Sequence, residues 1–269
     1  MRTADGDPYR LDVCPRFRDI LTDRIRPTGR KPIYPRFAPV GDSALTVEFD
    51  DAIDPKINAR VQALDRAIAV SNLPGIVETV PSFRSLTILY EPEAIDLESL
   101  TEKLLPLLDD EPRALPVVGR SWTIPVAYGF PDADDLREIC ELTGLSRDEV
   151  EGLHSGAEHL VFLIGFVPGM PILGGLPEPL HVPRRPEPRP DIPAGRVMIA
   201  GMQGQIVPMP MLTGWRSLGQ TPVRPYEPGA ANPFLFRAGD RIRFRPIGVR
   251  ELDALAGVPG GHFLNSRAA

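Results

Sequence analysis

Proline sets the terms on which this chain can fold. There are 32 prolines among 269 residues, and between Pro168 and Pro193 they recur too closely for a helix or long strand to run through. Each fixes φ and removes a backbone donor, so the second half is predicted to be brief strands joined by fixed loops. The runs "LVFLIGF", "GRVMIAG", "QIVPM" and "RIRFRPI" fit that pattern. In the last, Arg241, Arg243 and Arg245 share one face and Ile242 and Phe244 the other, as on a barrel strand with one side in water. Many short strands so punctuated predict a barrel or sandwich. "GFVPGMPILGGLP", residues 165–177, carries more breakers than a buried strand or helix would tolerate and more apolar side chains than a solvated loop would, which leaves an awkward piece of core or the wall of a binding cavity.

The first half has a different periodicity. In "SALTVEF" Ala44, Thr46 and Glu48 alternate with Leu45, Val47 and Phe49, which predicts a strand. "DPKINARVQALDRAIAV" predicts a helix capped by Asp54, with Pro55 in its first turn and Ile57, Val61, Leu64 and Ile68 on one face. "GIVETVPSF" and "SLTILYEP" read as paired strands, and "DLESLTEKLLPLL" as a helix capped by Asp96. That order predicts a small α/β sandwich with its helices on one side of the sheet. The whole is an α+β chain: an N-terminal extension over 1–33 with a short amphipathic helix (Phe17, Ile20, Leu21, Ile25), a small domain over 34–110 and a linker at 109–114. A barrel domain over 115–250 and a C-terminal tail over 251–269 follow. The barrel opens with the strand "RSWTIPVAYG", a helix from about Asp132 to Thr143, and a helical turn in which Ser146 and Glu149 have capping-box spacing.

Charge and composition narrow the function classes. The formal net charge of -6 offers no basic surplus for nucleic acid. Cys14 and Cys140 form neither a disulfide framework nor a metal-ligand spacing, so a reducing cytoplasm is expected. The longest apolar run, Leu160–Leu176, is broken by Pro168 and Pro171, so a soluble protein with no membrane partner is expected.

Motifs for nucleotide phosphates, dinucleotides, zinc hydrolysis and serine hydrolysis are absent. His154 and His159, five residues apart, have the wrong spacing to ligate one metal from a helix face. One of them could serve as acid, base or polarising donor, or simply bond backbone at a helix end. Arg184, Arg185, Arg189 and Arg196 lie in "PRRPEPRPDIPAGR", where prolines hold guanidinium groups suited to carboxylates or phosphates. The alternative is a solvated loop with Glu187 and Asp191 as local partners. Trp215 either packs beneath a ligand or belongs to the core.

Together, "GDSALTVEF", "IPVAYG", "LSRDEVEGLH", "GFVPGMPILGGLP", "PRRPEPRPDIPAG", "IAG", "GW", "GQTP" and "AGDRIRF" resemble one family: that of allophanate hydrolase subunit 1, KipI and the 5-oxoprolinase B subunit, the carboxyltransferase subdomain C/D group. The resemblance runs from about Tyr34 to Ile247 and implies a small α/β domain followed by a cyclophilin-like barrel. It implies an ATP-dependent amide or lactam hydrolase that opens 5-oxoproline or acts on allophanate, working with a homologous second subunit that shares the ATP. Carried onto this chain, it implies catalytic roles for His154 and Arg189. It implies substrate contacts from Pro168, Gly169, Met170, Ile172, Arg185, Gln203, Val207 and Trp215. The chain departs from the family pattern at His159 (usually Tyr), Met170 (Phe), Ile172 (Tyr), Gly204 (Thr), Val207 (Tyr) and Leu212-Thr213 (Pro-Gly). Those changes remove aromatic and hydroxyl groups in favour of Met, Ile, Val and Leu, so a same-fold enzyme acting without ATP on a larger apolar metabolite is one alternative. A non-catalytic histidine-kinase inhibitor of the KipI type is another.

Overall fold

The computed structural model describes residues 34–109, 119–131 and 133–266. The expected N-terminal extension, all but the first residue of the expected linker, and Cys14 lie outside the described residues. The chain divides into two compact units, Met1–Arg113 and Ala114–Ala269.

In the first unit, strands β1 (Arg36–Val40), β2 (Ala44–Glu48), β3 (Ile76–Pro81) and β4 (Ser85–Tyr90) form an antiparallel sheet in the order β1-β2-β4-β3. Helix α1 (Pro55–Ser71) starts where the Asp54 carboxylate accepts the Lys56 N–H at 2.7 Å, and α2 (Leu97–Asp109) where Asp96 accepts the Ser99 N–H at 2.7 Å. Each cap satisfies an amide that the helix leaves without a partner. Leu45, Val47, Leu86 and Ile88 meet Val61, Leu64, Ile68, Leu100 and Leu104 in one core, as the alternation requires. The opposite sheet face carries polar pairs such as Thr46 and Thr87, whose hydroxyls are 2.9 Å apart. Strand β1 has no signature in the sequence, because Pro35 and Pro39 mask its alternation.

The second unit is a closed barrel. Its strands are β5 (Ser121–Tyr128), β6 (His159–Ile164), β7 (Pro171–Gly174), β9 (Arg196–Ala200), β10 (Gln203–Ile206), β12 (Arg216–Gln220) and β13 (Arg241–Pro246). The order β12-β9-β10-β7-β6-β13-β5 closes through β12 and β5, where Gly219 pairs with Tyr128. Only β13 and β5 run parallel; the other pairs are antiparallel. Trp122, Ile124, Val126, Val161, Leu173, Val197, Ile199, Ile206, Leu218, Ile242 and Phe244 fill the interior. Helices α3 (Ala133–Thr143) and α4 (Arg147–Gly156) pack on the barrel through Leu136, Ile139 and Val150, and the Ser146–Glu149 capping box is formed. A two-stranded ribbon of β8 (Arg189–Ile192) and β11 (Met211–Thr213) stands apart from the barrel sheet.

Two stretches differ from the sequence reading. Only the first part of residues 165–177 is a loop, because Pro171–Gly174 is a fully buried strand paired with both β6 and β10. Pro171 is tolerated as the first residue of that strand, and Gly174 because a Cβ there would lie 1.7 Å from the Phe162 ring. The chain beyond residue 250, read as a tail, completes helix α5 (Val249–Ala254) and adds β14 (Leu264–Ser266), which pairs with β5. Three residues are too few to show an alternation. No helix among the described residues is long and apolar enough to cross a membrane.

Candidate functional site

Helix α3 presents two carboxylates, Asp135 and Glu138, three residues apart and therefore on one face. The proline-rich segment folds across that face. Arg185 reaches Asp135 at 2.7 Å and also pairs with Glu138, Arg189 pairs with the other oxygen of Asp135, and Arg216 meets Glu138 at 2.9 Å. Asp135 is fully buried and also accepts the Ser217 N–H at 2.7 Å. Arg216 donates to the Pro183 carbonyl, and the Arg185 N–H to the Gly214 carbonyl at 2.7 Å. The partners of these arginines are thus on α3, not the neighbouring Glu187 and Asp191 that the solvated-loop reading supposes. Burial acts to raise the Glu138 carboxyl, but the Arg216 hydrogen bond and the charges of Arg216, Arg185 and Arg189 outweigh it and hold Glu138 below its ordinary range. Among the described residues three guanidiniums face two carboxylates, and these five groups together carry a net positive charge.

Beside this cluster lies the outer face of β7, β10 and β9. In an antiparallel ladder, paired residues project to the same side. Leu173 and Val197 point into the barrel, so Ile172, its partner Gln205 and that residue's partner Met198 point out. The Gln205 amide reaches the Met198 sulfur at 3.9 Å, and Gln203 lies two residues along on the same face. Met198, Ala200, Val207, Ile192 and Trp215 form a second apolar cluster, with Met211 of the ribbon packed against it. The Arg184 guanidinium stands 5.7 Å over the Trp215 ring. Cationic groups, a carboxamide row and an aromatic face therefore adjoin one another, an arrangement that can hold an organic anion by charge and contact.

Of the residues singled out in the sequence, Arg185, Arg189, Ile172, Gln203, Val207 and Trp215 gather here. The others lie elsewhere. Pro168 and Gly169 line a cavity of about 600 Å³ with Ile164, Phe166, Phe234 and Arg237. That cavity stands where β6 ends and β13 begins, at the opposite end of β5 from the Asp135 cluster. Met170 is buried behind the loop, whose turn closes through Met170 N–H to the Val167 carbonyl at 3.2 Å. His154 is inside: its Nδ1 shares a 2.7 Å hydrogen bond with the Tyr128 hydroxyl, and its ring stacks on Phe244 at 4.5 Å. His159 Nε2–H donates to the His154 carbonyl at 3.1 Å. Burial, and then the neighbouring His159, holds His154 well below the ordinary imidazole range, so it is neutral. Burial likewise pushes the Tyr128 phenol up. At 1 % exposure His154 is enclosed by the fold, and its hydrogen-bond partner Tyr128 is buried as well.

Sequence reasoning missed Asp135, Glu138, Arg216, Ser217 and Arg237. The one signal for them is the pair of acids at i, i+3 opening a helix in a chain with a crowded arginine segment. Among the described residues no three His, Cys, Asp or Glu side chains gather as a metal site.

Comparison with known proteins accords with this fold. The chain is 35% identical over 225 residues to the 5-oxoprolinase B subunit of Bacillus subtilis, covering 80% of this chain and 94% of that one. It is 36% identical over 208 residues to the 5-oxoprolinase B subunit of Escherichia coli O157:H7, covering 77% and 94%. Among solved structures, that of TTHA0988 superposes with a TM-score of 0.68 at 34% identity, over 76% of this chain; the match spans only 39% of TTHA0988. The family profile described as carboxyltransferase domain, subdomain C and D, matches residues 35–236. With the fold, the barrel closure and these likenesses in agreement, the chain belongs to the carboxyltransferase subdomain C and D family.

Proposed function

We propose that this chain is one subunit of a 5-oxoprolinase-like hydrolase in the cytoplasm, opening a cyclic or linear amide with a homologous second subunit and ATP. The observation that carries this reading is the likeness, at 35% and 36% identity, to two 5-oxoprolinase B subunits over 94% of each of their lengths. An amide carbonyl is a poor electrophile, and ATP when bound supplies phosphoryl activation of its oxygen. The anchored arginines suit phosphoryl or carboxylate oxygens, and in this reading ATP is held jointly with the partner subunit. In this reading Arg189 and Arg185 receive the anionic oxygen, with Gln203, Ile172, Val207 and Trp215 forming the surface on which the substrate rests. Asp135 keeps both arginines in place, and His154 is a positioning residue that fixes Tyr128.

The test is ATP hydrolysis dependent on 5-oxoproline, measured for the chain alone and with the second subunit. Activity only in the mixture supports the proposal; its absence in both refutes it. A second reading, an enzyme for a larger apolar substrate that dispenses with ATP, is favoured by one observation. At two of the positions where the family usually has Tyr, this chain has Ile172 and Val207, both buried side chains. Turnover of an apolar amide without ATP would support it over the first.

A further inference from the structure

The cavity at the far end of β5 is lined by Ile164, Phe166, Val167, Pro168, Pro233, Phe234 and Phe236. Its volume, about 600 Å³, lies within the range that small-molecule sites occupy. Two of its features are not needed by the fold. The first is Phe166, which sits at φ 72° with 82 % of its surface exposed. That backbone region is costly for an aromatic residue, and burial gives nothing back here. The loop is held in this shape from behind. Gly169 packs so tightly on the facing segment that a Cβ would stand 2.6 Å from that of Tyr226, and Tyr226 in turn stacks on Phe234 at 5.5 Å.

The second feature is Arg237. Its backbone N–H is fixed by the buried Asp240 carboxylate at 3.0 Å, but that carboxylate is occupied by Arg120 and by the Trp122 indole. Among the described residues the Arg237 guanidinium has no carboxylate of its own, and with the Asn232 carboxamide it is one of two polar side chains lining a mostly apolar cavity. A single guanidinium matches the single charge of one carboxylate, whereas a phosphate dianion calls for more positive charge than this one cation supplies.

We propose that this cavity is a second ligand site, which takes an organic carboxylate with an apolar or aromatic body and pairs its carboxylate with Arg237. Phe166 and Phe234 are the apolar jaws, and Phe166 is held exposed because it meets the ligand. The site is separate from the Asp135-anchored arginines and does not depend on the reaction proposed for them.

Calorimetry on the full chain tests this with phenylacetate and its neutral analogue phenylacetamide as probes. The wild-type chain should bind phenylacetate roughly tenfold more tightly than phenylacetamide, as a charge-assisted pair requires. Arg237→Gln should abolish that preference and Arg237→Lys should keep part of it, while Phe166→Ala should weaken both probes alike. Because Arg237 and Phe166 are exposed, none of these changes empties the core. Equal binding of the two probes, binding of neither, or an unchanged preference in Arg237→Gln overturns the proposal.

Discussion

Replacing Asp135 with alanine removes a fully buried carboxylate that holds three elements together: the arginine segment, the start of β12 and helix α3. The cost can be worked from its contacts. Ser217, 1 % exposed, loses the acceptor for its N–H, a desolvation penalty of about 1–3 kcal/mol. Arg185 keeps Glu138, and Arg189, a third exposed, recovers much of its loss from water. Breaking a buried pair of this kind costs about 3–5 kcal/mol, and the partial exposure of the arginines sets the expectation at the lower end. In a unit of this size each kcal/mol moves the thermal midpoint by about 2–4 °C, so Asp135→Ala should lower it by roughly 10 °C. Both tryptophans of the chain, Trp122 and Trp215, lie in the second unit, so tryptophan fluorescence reports on that unit alone. Asp135→Asn, which keeps an acceptor oxygen for Ser217 but not the charge, should fall between the two. A midpoint within about 2 °C of wild type for the alanine variant would refute the assignment of Asp135 as anchor.

Other outcomes follow from the barrel. Burial lowers the imidazole of His159 against the pull of its bond to the His154 carbonyl, and His154 lies lower still, so the folded chain resists protons that the unfolded chain accepts as pH falls below 6.5. Stability of the second unit should therefore decline from that point downward and level off below the folded values. His159→Phe should flatten the decline in fluorescence-monitored melts as pH falls below 6.5; an unchanged slope would contradict the reasoning. Gly219→Ala should loosen the closure of the barrel, because its Cβ would stand 2.3 Å from the Ala127 carbonyl oxygen. The expected loss is about 1–3 kcal/mol, and a wild-type midpoint would show that the seam is not tight.

What could be read from the sequence was local. The Asp54 and Asp96 caps, the Ser146–Glu149 box and the alternation in "RIRFR" each involve residues within a few positions of one another, and each is present in the fold. The family resemblance supplied the order of the two units. The anchors were hidden because their partners are distant in the chain: Asp135 meets Arg185, Arg189 and Ser217 at separations of 50, 54 and 82 residues. Read locally, an acid at the start of a helix is an ordinary helix-surface residue. Arg237, in "RAGDR", is set beside the Gly165–Gly169 loop only by the fold. The same distance effect divided the expected cavity: Pro168 and Gly169 ended at one end of β5 and the arginines at the other.

If the chain is half of a lactam-opening enzyme, the anionic group of the reaction meets the anchored arginines. The direct measurement is phosphate release from ATP with 5-oxoproline, by the chain mixed with the proposed homologous second subunit, for wild type and Arg189→Ala. Expected are 5-oxoproline-dependent release for the wild-type mixture, none for either subunit alone, and a loss of at least roughly tenfold in Arg189→Ala, the scale of one charge-assisted contact. Release that does not depend on 5-oxoproline, or an Arg189→Ala mixture as active as wild type, would contradict this assignment.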